Sequence, residues 1–301
     1  MYGRHFLTLK DFTAAEFKLI IDTAVKIKAE HKKGKETPLL KGKSLAMIFQ
    51  KPSNRTRVSF EVGMFQLAGQ SILIKPEEIQ MGQREPIADV AEVLSRYVNG
   101  VMMRVIRHTD ILTFAEHSSV PVINGLSDLF HPCQAVSDIL TILEHKKSLK
   151  DRKVCYIGDG NNVCNSLIIA SKLAGIEMVV SCPKGYEPTL NKDEFSFTID
   201  NDPYSAAKGA DVIYTDVWVS MGQEDQIRKK RKAFENFTVN KEMMQQAKAD
   251  AIFLHCLPAH RGEEVDSEVF DSAQSVVFDQ AENRMHAQKA ILALLMSKDL
   301  A

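Results

Sequence analysis

The chain has 301 residues, of which 45% are apolar and 26% charged, a composition typical of globular proteins and a length sufficient for two domains. Its formal net charge of -1 excludes a general attraction to nucleic acids or anionic membranes, so any anion binding must be local. The five cysteines are odd in number and show no C-x-x-C spacing, which argues against a disulfide framework and a zinc ribbon. The first residues lack the apolar core of a signal peptide, and no apolar run approaches the roughly 18 residues of a membrane span, so we expect a cytoplasmic protein.

Apolar runs rich in strand-forming residues alternate with helical periodicity along the first half of the chain. The pattern predicts helices near 13–30, 56–68, 87–97, 110–118 and 132–146, and strands at 44–50, 71–75, 100–104 and 120–124. Polar residues 146–153 mark a domain boundary, after which strands are predicted near 153–158, 177–181, 211–215, 251–254 and 275–278, with a last helix at about 284–297. This alternation predicts an α/β protein with two doubly wound domains built on parallel sheets.

The segment Ser53-Asn-Arg-Thr-Arg57 lies between the first predicted strand and the helix that follows it. Such a position combines helix N–H groups, the positive end of a helix dipole and guanidinium groups that match phosphate oxygens in pairs. One arginine near a helix start is ordinarily a solvated side chain beside an N-cap. Two arginines interleaved with hydroxyls favour a phosphate site instead.

Polar residues follow four other predicted strands. They are His131 and Gln134, Asn162 in the turn Gly158-Asp-Gly-Asn-Asn162, Asp216, and Cys256. Ligands of open α/β sheets bind outside the carboxyl ends of the strands, so the recurrence of the pattern favours a ligand site. Each residue alone also fits an ordinary structural role, such as a helix cap, a turn or a buried thiol.

A dinucleotide site is disfavoured. The turn that begins at Gly158 places Val163 where the G-x-G-x-x-G fingerprint needs a third small residue, and Met178-Val-Val-Ser-Cys-Pro183 lacks the acidic residue that binds a ribose.

Two other clusters carry less information. Pro258 interrupts the group formed by His255, Cys256, His260, Glu263 and Glu264, and no metal-binding spacing is matched, so we expect no metal. The basic run 228–232 follows two acidic residues and contains no aromatic residue, so we expect a solvated helix face there.

Five motifs in order resemble those of ornithine carbamoyltransferases. They are Lys51-Pro-Ser-Asn-Arg-Thr-Arg57, His131-Pro-Cys-Gln134, Asp216-Val-Trp-Val-Ser-Met-Gly222, His255-Cys-Leu-Pro258 and Phe278-Asp-Gln-Ala-Glu-Asn-Arg284-Met-His286. The first two resemble motifs of all transcarbamoylases, including the aspartate enzymes, whereas the third and fourth resemble the ornithine branch. The resemblance covers nearly the whole chain.

The resemblance implies transfer of a carbamoyl group from carbamoyl phosphate to the side-chain amine of L-ornithine, giving L-citrulline and phosphate, a step of arginine metabolism that needs no metal or organic cofactor. It implies a transcarbamoylase-like fold in which residues 1–147 bind carbamoyl phosphate and 148–283 bind ornithine, with a C-terminal helix, 284–301, that packs back onto the first domain. It also implies a homotrimer or a higher assembly of trimers.

The same resemblance assigns roles to individual residues. Contacts to carbamoyl phosphate are implied for Ser53, Asn54, Arg55, Thr56, Arg104, His131, Gln134, Cys256, Leu257 and Arg284, and for Gln80 of a neighbouring subunit. Contacts to ornithine are implied for Asn162, Asp216, Ser220 and Met221. The implied catalytic residues are Arg55, Arg104, His131, Asp216 and Cys256.

One departure and three alternatives stay open at this point. Asn54 stands where the family usually has Thr, and a lost hydroxyl contact there would weaken binding of carbamoyl phosphate. A transcarbamoylase for another amine, such as putrescine or an acylated ornithine, is the first alternative, although Ser220-Met-Gly222 argues against putrescine, which has no α-carboxylate. An NAD-dependent dehydrogenase is disfavoured by Val163, and a non-catalytic ligand sensor by the intact reacting-centre residues.

Overall fold

The computed structural model describes residues 1–35, 37–82, 84–219 and 226–300. The chain divides into two compact units, Met1–Val136 with Arg284–Ala301, and Ser137–Asn283. Among the described residues, no helix combines the length and the apolar character that crossing a membrane requires.

The first unit is built on a four-stranded parallel sheet with the strand order β2-β1-β3-β4. Its elements are α1 (Ala14–Lys32), β1 (Ser44–Phe49), α2 (Asn54–Gln66), β2 (Gln70–Ile74), α3 (Pro76–Ile79), α4 (Ile87–Tyr97), β3 (Gly100–Arg104), α5 (His108–Glu116), β4 (Val122–Leu126) and the start of α6 (Pro132–Lys146).

Local sequence explains where these elements begin and which faces they bury. Thr13 and Glu16 form a capping box that starts α1, and Ser53 caps α2 by accepting the Thr56 N–H. All but the first residue of β1 are buried, as expected for a central strand of a parallel sheet covered on both faces.

The second unit has a five-stranded parallel sheet with the order β7-β6-β5-β8-β9. Its elements are β5 (Lys153–Ile157), α7 (Asn162–Ala174), β6 (Glu177–Ser181), α8 (Lys192–Phe195), β7 (Phe197–Ile199), α9 (Pro203–Ala207), β8 (Val212–Thr215), α10 (Ile227–Phe234), α11 (Lys241–Met244), β9 (Ile252–His255), α12 (Ser267–Phe270) and the start of α13 (Val277–Met296). The two parallel sheets with alternating helices confirm the predicted α/β class.

The structure departs from the local pattern at three places. The strand expected at 275–278 is absent from that described segment: Ser275 makes an isolated bridge to Phe253, and α13 begins at Val277. A short apolar run cannot by periodicity be told apart from the start of a buried helix. The short strand β7 was not predicted. The basic run 228–232 lies on a helix and its other residues are exposed, as predicted, but Lys230 is buried, where its ammonium pairs with the Asp159 carboxylate.

Both sheets reverse their winding direction at one point. In the first unit, β2 is added on one side of β1, whereas β3 and β4 are added on the other, so the direction reverses between β1 and β3. In the second unit the corresponding reversal lies between β5 and β8. Crevices at such switch points, outside the carboxyl ends of the strands, are the usual ligand sites of open α/β sheets.

Candidate active site

The switch point of the first unit brings the α2 N-terminus beside the end of β3. Phe49, the last residue of β1, is in register with Arg104, the last residue of β3, and the Gln50 N–H donates to the Arg104 carbonyl at 2.8 Å. The cap residue Ser53 and the first turn of α2 therefore lie next to an arginine. Their free N–H groups and the helix dipole favour an anion at this place.

The Thr56 hydroxyl is the hub of the cluster in the first unit. This fully buried oxygen lies 3.1 Å from Ser53 Oγ, 3.4 Å from Arg104 Nη1 and 3.0 Å from Arg284 Nη2. Arg284 lies on α13, more than 200 positions away in the chain, so the fold alone brings the two guanidinium groups to one hydroxyl. Two arginine forks and two hydroxyls at a helix N-terminus form a strong phosphate-binding arrangement.

His131, buried just before α6, carries a neutral ring. Burial, and then the positive charges of Arg284 and Arg104, lower the pKa of His131 well below its ordinary value of 6.5. A neutral imidazole can donate one hydrogen bond to a polarised carbonyl oxygen without adding a third charge. Gln134, in the first turn of α6, is also buried.

The other predicted residues of the first unit lie at the periphery. Asn54 and Arg55 are exposed at the start of α2, where their side chains can meet a ligand that arrives from solvent. Gln80 is exposed at a positive φ of 41°, and the described contacts do not join it to the Thr56 cluster.

The Asp216 carboxylate is the hub of the second unit's cluster, directly after β8. Its Oδ2 accepts from Asn161 Nδ2 at 2.8 Å, and its Oδ1 accepts from Cys256 Sγ at 3.0 Å. Asn161 follows β5 and Cys256 follows β9, the two strands that flank β8. The carboxylate is 4% exposed, so its charge acts in a poorly screened environment.

In the turn after β5, position 160 can hold only a glycine. A Cβ on Gly160 would lie 2.3 Å from the Pro188 nitrogen, so no larger residue fits without moving backbone. Asn161 caps α7 through its side-chain oxygen, and Asn162 begins the helix, 8% exposed. The glycine in this turn thus serves close backbone packing rather than a dinucleotide fingerprint.

A buried ion pair supports the same turn from outside. Lys230 Nζ on α10 lies 2.6 Å from Asp159 Oδ2. Burial raises the pKa of the Asp159 carboxyl, the hydrogen bond and charge of Lys230 lower it, and the charge of Asp216 raises it, with a net increase from 3.8. The pair joins the helix that follows residues 220–225 to the turn that carries Asn162.

His255 and Glu264 lie beneath Cys256 and Leu257. The imidazole accepts from the Leu257 N–H at Nδ1, 2.9 Å, and its Nε2 lies 3.1 Å from Glu264 Oε1. Since both ring nitrogens of His255 have protein partners, this ring is poorly suited to bind a metal. The absence of a metal from the working protein stays a prediction.

Sequence reasoning missed Asn161, Asp159 and Lys230. Asn161 belongs to the same Asn-Asn pair as the predicted Asn162, and only the strand order shows which amide reaches Asp216. Ser220 and Met221, predicted to hold ornithine, lie outside the described residues.

Two parallel α/β units, one with a phosphate-type cluster and the other with a carboxylate, amide and thiol at its switch point, define a two-domain enzyme of the transcarbamoylase type. The comparisons identify the family. The carbamoyl-P binding domain of "Aspartate/ornithine carbamoyltransferase" matches residues 4–144, and the Asp/Orn binding domain of the same family matches residues 150–295. The chain belongs to the aspartate/ornithine carbamoyltransferase family.

Individual relatives agree over nearly the full length. The chain is 54% identical to the "Ornithine carbamoyltransferase" of Thermococcus kodakarensis over 98% of this chain and 96% of the relative. It is 53% identical to the Pyrococcus furiosus "Ornithine carbamoyltransferase, anabolic" with the same coverage. Among solved structures, the P. furiosus ornithine carbamoyltransferase superposes with a TM-score of 0.95 at 52% identity, covering 98% of this chain and 97% of that one. The Thermus thermophilus ornithine carbamoyltransferase superposes at 0.91 and 40% identity, covering 99% and 100%.

Proposed function

We propose that this protein is an ornithine carbamoyltransferase, which transfers the carbamoyl group of carbamoyl phosphate to the side-chain amine of L-ornithine and releases L-citrulline and phosphate. The observation that carries the choice of acceptor is the buried Asp216 carboxylate beside Cys256. The Asp216 carboxylate can pair with the side-chain amine of ornithine. The side chain of an aspartate acceptor is itself a carboxylate, which would need a cation in the site rather than Asp216. The relatives named above carry the ornithine name, and the alternative acceptors find no support among them.

The first unit supplies a site for carbamoyl phosphate. The Ser53 and Thr56 hydroxyls, the first turn of α2, and the guanidinium groups of Arg55, Arg104 and Arg284 surround the phosphate in this proposal. Neutral His131 and Arg104 face the carbamoyl oxygen, which gains negative charge as the tetrahedral transition state forms. One preorganised donor of this kind contributes about 3 kcal/mol to the lowering of the barrier.

The second unit prepares the attacking amine. A side-chain amine of this type has a free pKa near 10.4, so at neutral pH it must lose a proton before its lone pair can attack. Asp216 and Cys256 lie where they can hold the amine hydrogens and orient the lone pair. The ammonium releases this first proton to solvent as the neutral amine binds. A C–N bond then forms, the C–O bond to phosphate breaks, and the departing phosphate takes the second amine proton, so the step balances without a metal or an organic cofactor.

The domain assignment follows from these two half-sites. Residues 1–147 with the C-terminal segment 284–301 form the carbamoyl phosphate domain, and 148–283 form the ornithine domain, in which Asn162, Ser220 and Met221 hold the α-amino and α-carboxyl groups. The matched family descriptions support a boundary near residue 147, and the division into compact units supports the return of the residues from Arg284 onward to the first domain. Asn54 contributes its backbone N–H at the α2 start, so the family's Thr is not required at this position.

A homotrimer, or an assembly of trimers, completes the proposal, with Gln80 reaching a neighbour's phosphate. Its support is the exposed apolar side chains Val58 and Phe65, seven residues apart on one face of α2, and Ile72 on edge strand β2. A cytoplasmic location, without nucleic-acid or membrane partners, stays a prediction from the sequence.

The function is tested by incubating the protein with carbamoyl phosphate and one acceptor at a time, and measuring the carbamoylated product. The acceptors compared are ornithine, putrescine, N-acetylornithine and aspartate. Activity with ornithine is the expected result, and activity only with another amine would overturn the assignment. Arg55→Ala should lower turnover by orders of magnitude with the fold retained. Arg96→Ala, which removes an exposed arginine on α4 that pairs with Glu92, is the matched control and should behave as wild type.

A further inference from the structure

His255, the last residue of β9, is held from three sides. Its backbone N–H donates to Gln280 Oε1 at 2.9 Å, its Nδ1 accepts from the Leu257 N–H at 2.9 Å, and its Nε2 lies 3.1 Å from Glu264 Oε1. The side chains of His255 and Glu264 are both fully buried. This burial shields the side-chain bonds from solvent, so each ring nitrogen has a fixed role.

The contacts determine the tautomer of the ring. Because Nδ1 accepts a hydrogen bond from a backbone N–H, it carries no proton, and the single proton of the neutral ring lies on Nε2, where it is donated to Glu264. The opposite tautomer would place two N–H groups against each other at Leu257 and leave two acceptors facing each other at Glu264. Doubly protonated imidazole would lose the Leu257 bond in the same way.

Glu264 is suited to fix this tautomer because it stays ionised. Burial raises the pKa of its carboxyl, but hydrogen bonds from His255 and from the His260 N–H together lower it more. The pKa of Glu264 therefore lies below its ordinary value of 4.5. An anionic carboxylate only accepts hydrogen bonds, which compels the facing ring nitrogen to carry the proton.

The fixed tautomer of His255 stabilises the backbone of Leu257. This residue has φ +61°, a left-handed conformation that non-glycine residues keep only where the surrounding structure holds them there. The hydrogen bond to His255 Nδ1 fixes the Leu257 N–H and with it the chain direction after Cys256, whose thiol donates to Asp216 at 3.0 Å. Cys256 and Leu257 are the residues assigned above to the reacting groups.

We propose that Glu264 is a positioning residue for carbamoyl transfer: it holds His255 in the Nε2–H tautomer, and His255 in turn holds Leu257 and Cys256 in the geometry that meets the substrates. This inference rests on the proposed function. Glu264 itself acts through His255 and touches no reacting atom.

Two substitutions of His255 separate positioning from simple structural support. In His255→Asn the amide oxygen lies near the place of Nδ1 and can still accept from Leu257, whereas the donor to Glu264 is lost. In His255→Gln the amide nitrogen can still donate to Glu264, whereas the acceptor for Leu257 is lost. We expect His255→Gln to lower kcat/KM for carbamoyl phosphate by about 100-fold, as for a misplaced reacting group, and His255→Asn to lower it by about tenfold or less.

Thermal stability should rank the two variants in the opposite order. His255→Gln keeps the buried carboxylate paired and should melt at the higher temperature, although it is the less active of the two. Activity that follows stability, with His255→Asn the worse variant in both measurements, would show a merely structural role and overturn the proposal.

Glu264→Gln tests the same route without a change at His255. An amide can donate as well as accept, so the tautomer is no longer compelled, and we expect kcat/KM for carbamoyl phosphate to fall about tenfold. In the His255→Asn background the same change should cause no further loss, because Glu264 acts only through the ring. Equal losses in both backgrounds would contradict the relay.

The nitrogen-15 spectrum of histidine-labelled protein observes the tautomer directly. The His255 signals, assigned by their loss in His255→Asn, should show a protonated Nε2 and a bare Nδ1 in wild type and a mixture in Glu264→Gln. A protonated Nδ1 in wild type would refute the inference. Failure of the wild type to make citrulline would instead refute the proposed function, whereas an active wild type with equally active His255→Asn and His255→Gln variants would refute this inference alone.

Discussion

Replacement of Lys230 by methionine tests the buried ion pair that supports the turn after β5. Lys230 and Asp159 are 3% and 7% exposed, and their charged atoms are 2.6 Å apart. Removal of the ammonium leaves a carboxylate buried without its cation, a loss that typically costs about 3–5 kcal/mol. For a unit of roughly 150 residues, at about 2–4 °C per kcal/mol, this corresponds to a melting temperature lower by about 6–20 °C.

The size of the effect should depend on pH in a defined direction. Without Lys230, the two influences that lower the pKa of Asp159 disappear, while burial and the Asp216 charge still raise it. A carboxyl whose folded pKa exceeds its unfolded value binds its proton more tightly in the native state, so the native state is favoured as pH falls. The deficit of Lys230→Met relative to wild type should therefore be larger at pH 8 than at pH 5.

The assay is thermal unfolding followed by circular dichroism at both pH values. Lys229→Met, an exposed lysine one position earlier on α10, is the matched control and should lie within about 2 °C of wild type. The double variant Asp159→Asn/Lys230→Met carries neither charge and should recover part of the loss. The reasoning would be refuted if Lys230→Met had the same melting temperature as Lys229→Met. It would also be refuted if the difference in melting temperature between Lys230→Met and wild type did not change with pH.

Three further predictions concern single side chains. Thr56→Val removes the hydroxyl shared with Arg284 and should lower kcat/KM for carbamoyl phosphate by about 100-fold; unchanged kinetics would contradict its role as a hub. Cys256→Ser keeps a donor to Asp216 and should retain more ornithine-dependent activity than Cys256→Ala; equal activities would show that the bond is dispensable. Burial lowers the pKa of Lys289 from 10.5 to about 8, so the unfolded chain binds the proton more tightly and wild-type stability should rise between about pH 8 and 10.5. Lys289→Met should therefore melt higher than wild type at pH 7, by a margin that shrinks at pH 10; a lower melting temperature at pH 7 would contradict this sign.

The sequence predicted the principal strands and helices because their signals are local. Alternating strand and helix patterns indicated the α/β class, and the helix at 87–97 and the strands at 100–104 and 177–181 have the predicted bounds. Where local pattern is ambiguous the prediction failed, as at residues 275–278, where an isolated bridge at Ser275 is followed by the start of α13.

The sequence predicted which residues belong to the candidate site better than it predicted which of them are in contact. The strand-end rule placed Ser53, Asp216 and Cys256 near ligands, and the resemblance added Arg104. The structure brings these residues into two clusters, one in each unit. Their catalytic and binding roles stay predictions.

The family resemblance, the alternation of elements and the residue types at the strand ends can all be read from the amino-acid sequence, because they depend on short-range periodicity and on ordered motifs. Which side chains meet depends on the three-dimensional fold. Strand order brings Asn161 and Cys256 to opposite oxygens of Asp216, the path of α13 brings Arg284 to Thr56, and packing buries Lys230 against Asp159. These are contacts between residues far apart in the chain, and burial, which sets their charges and tautomers, has no local signature.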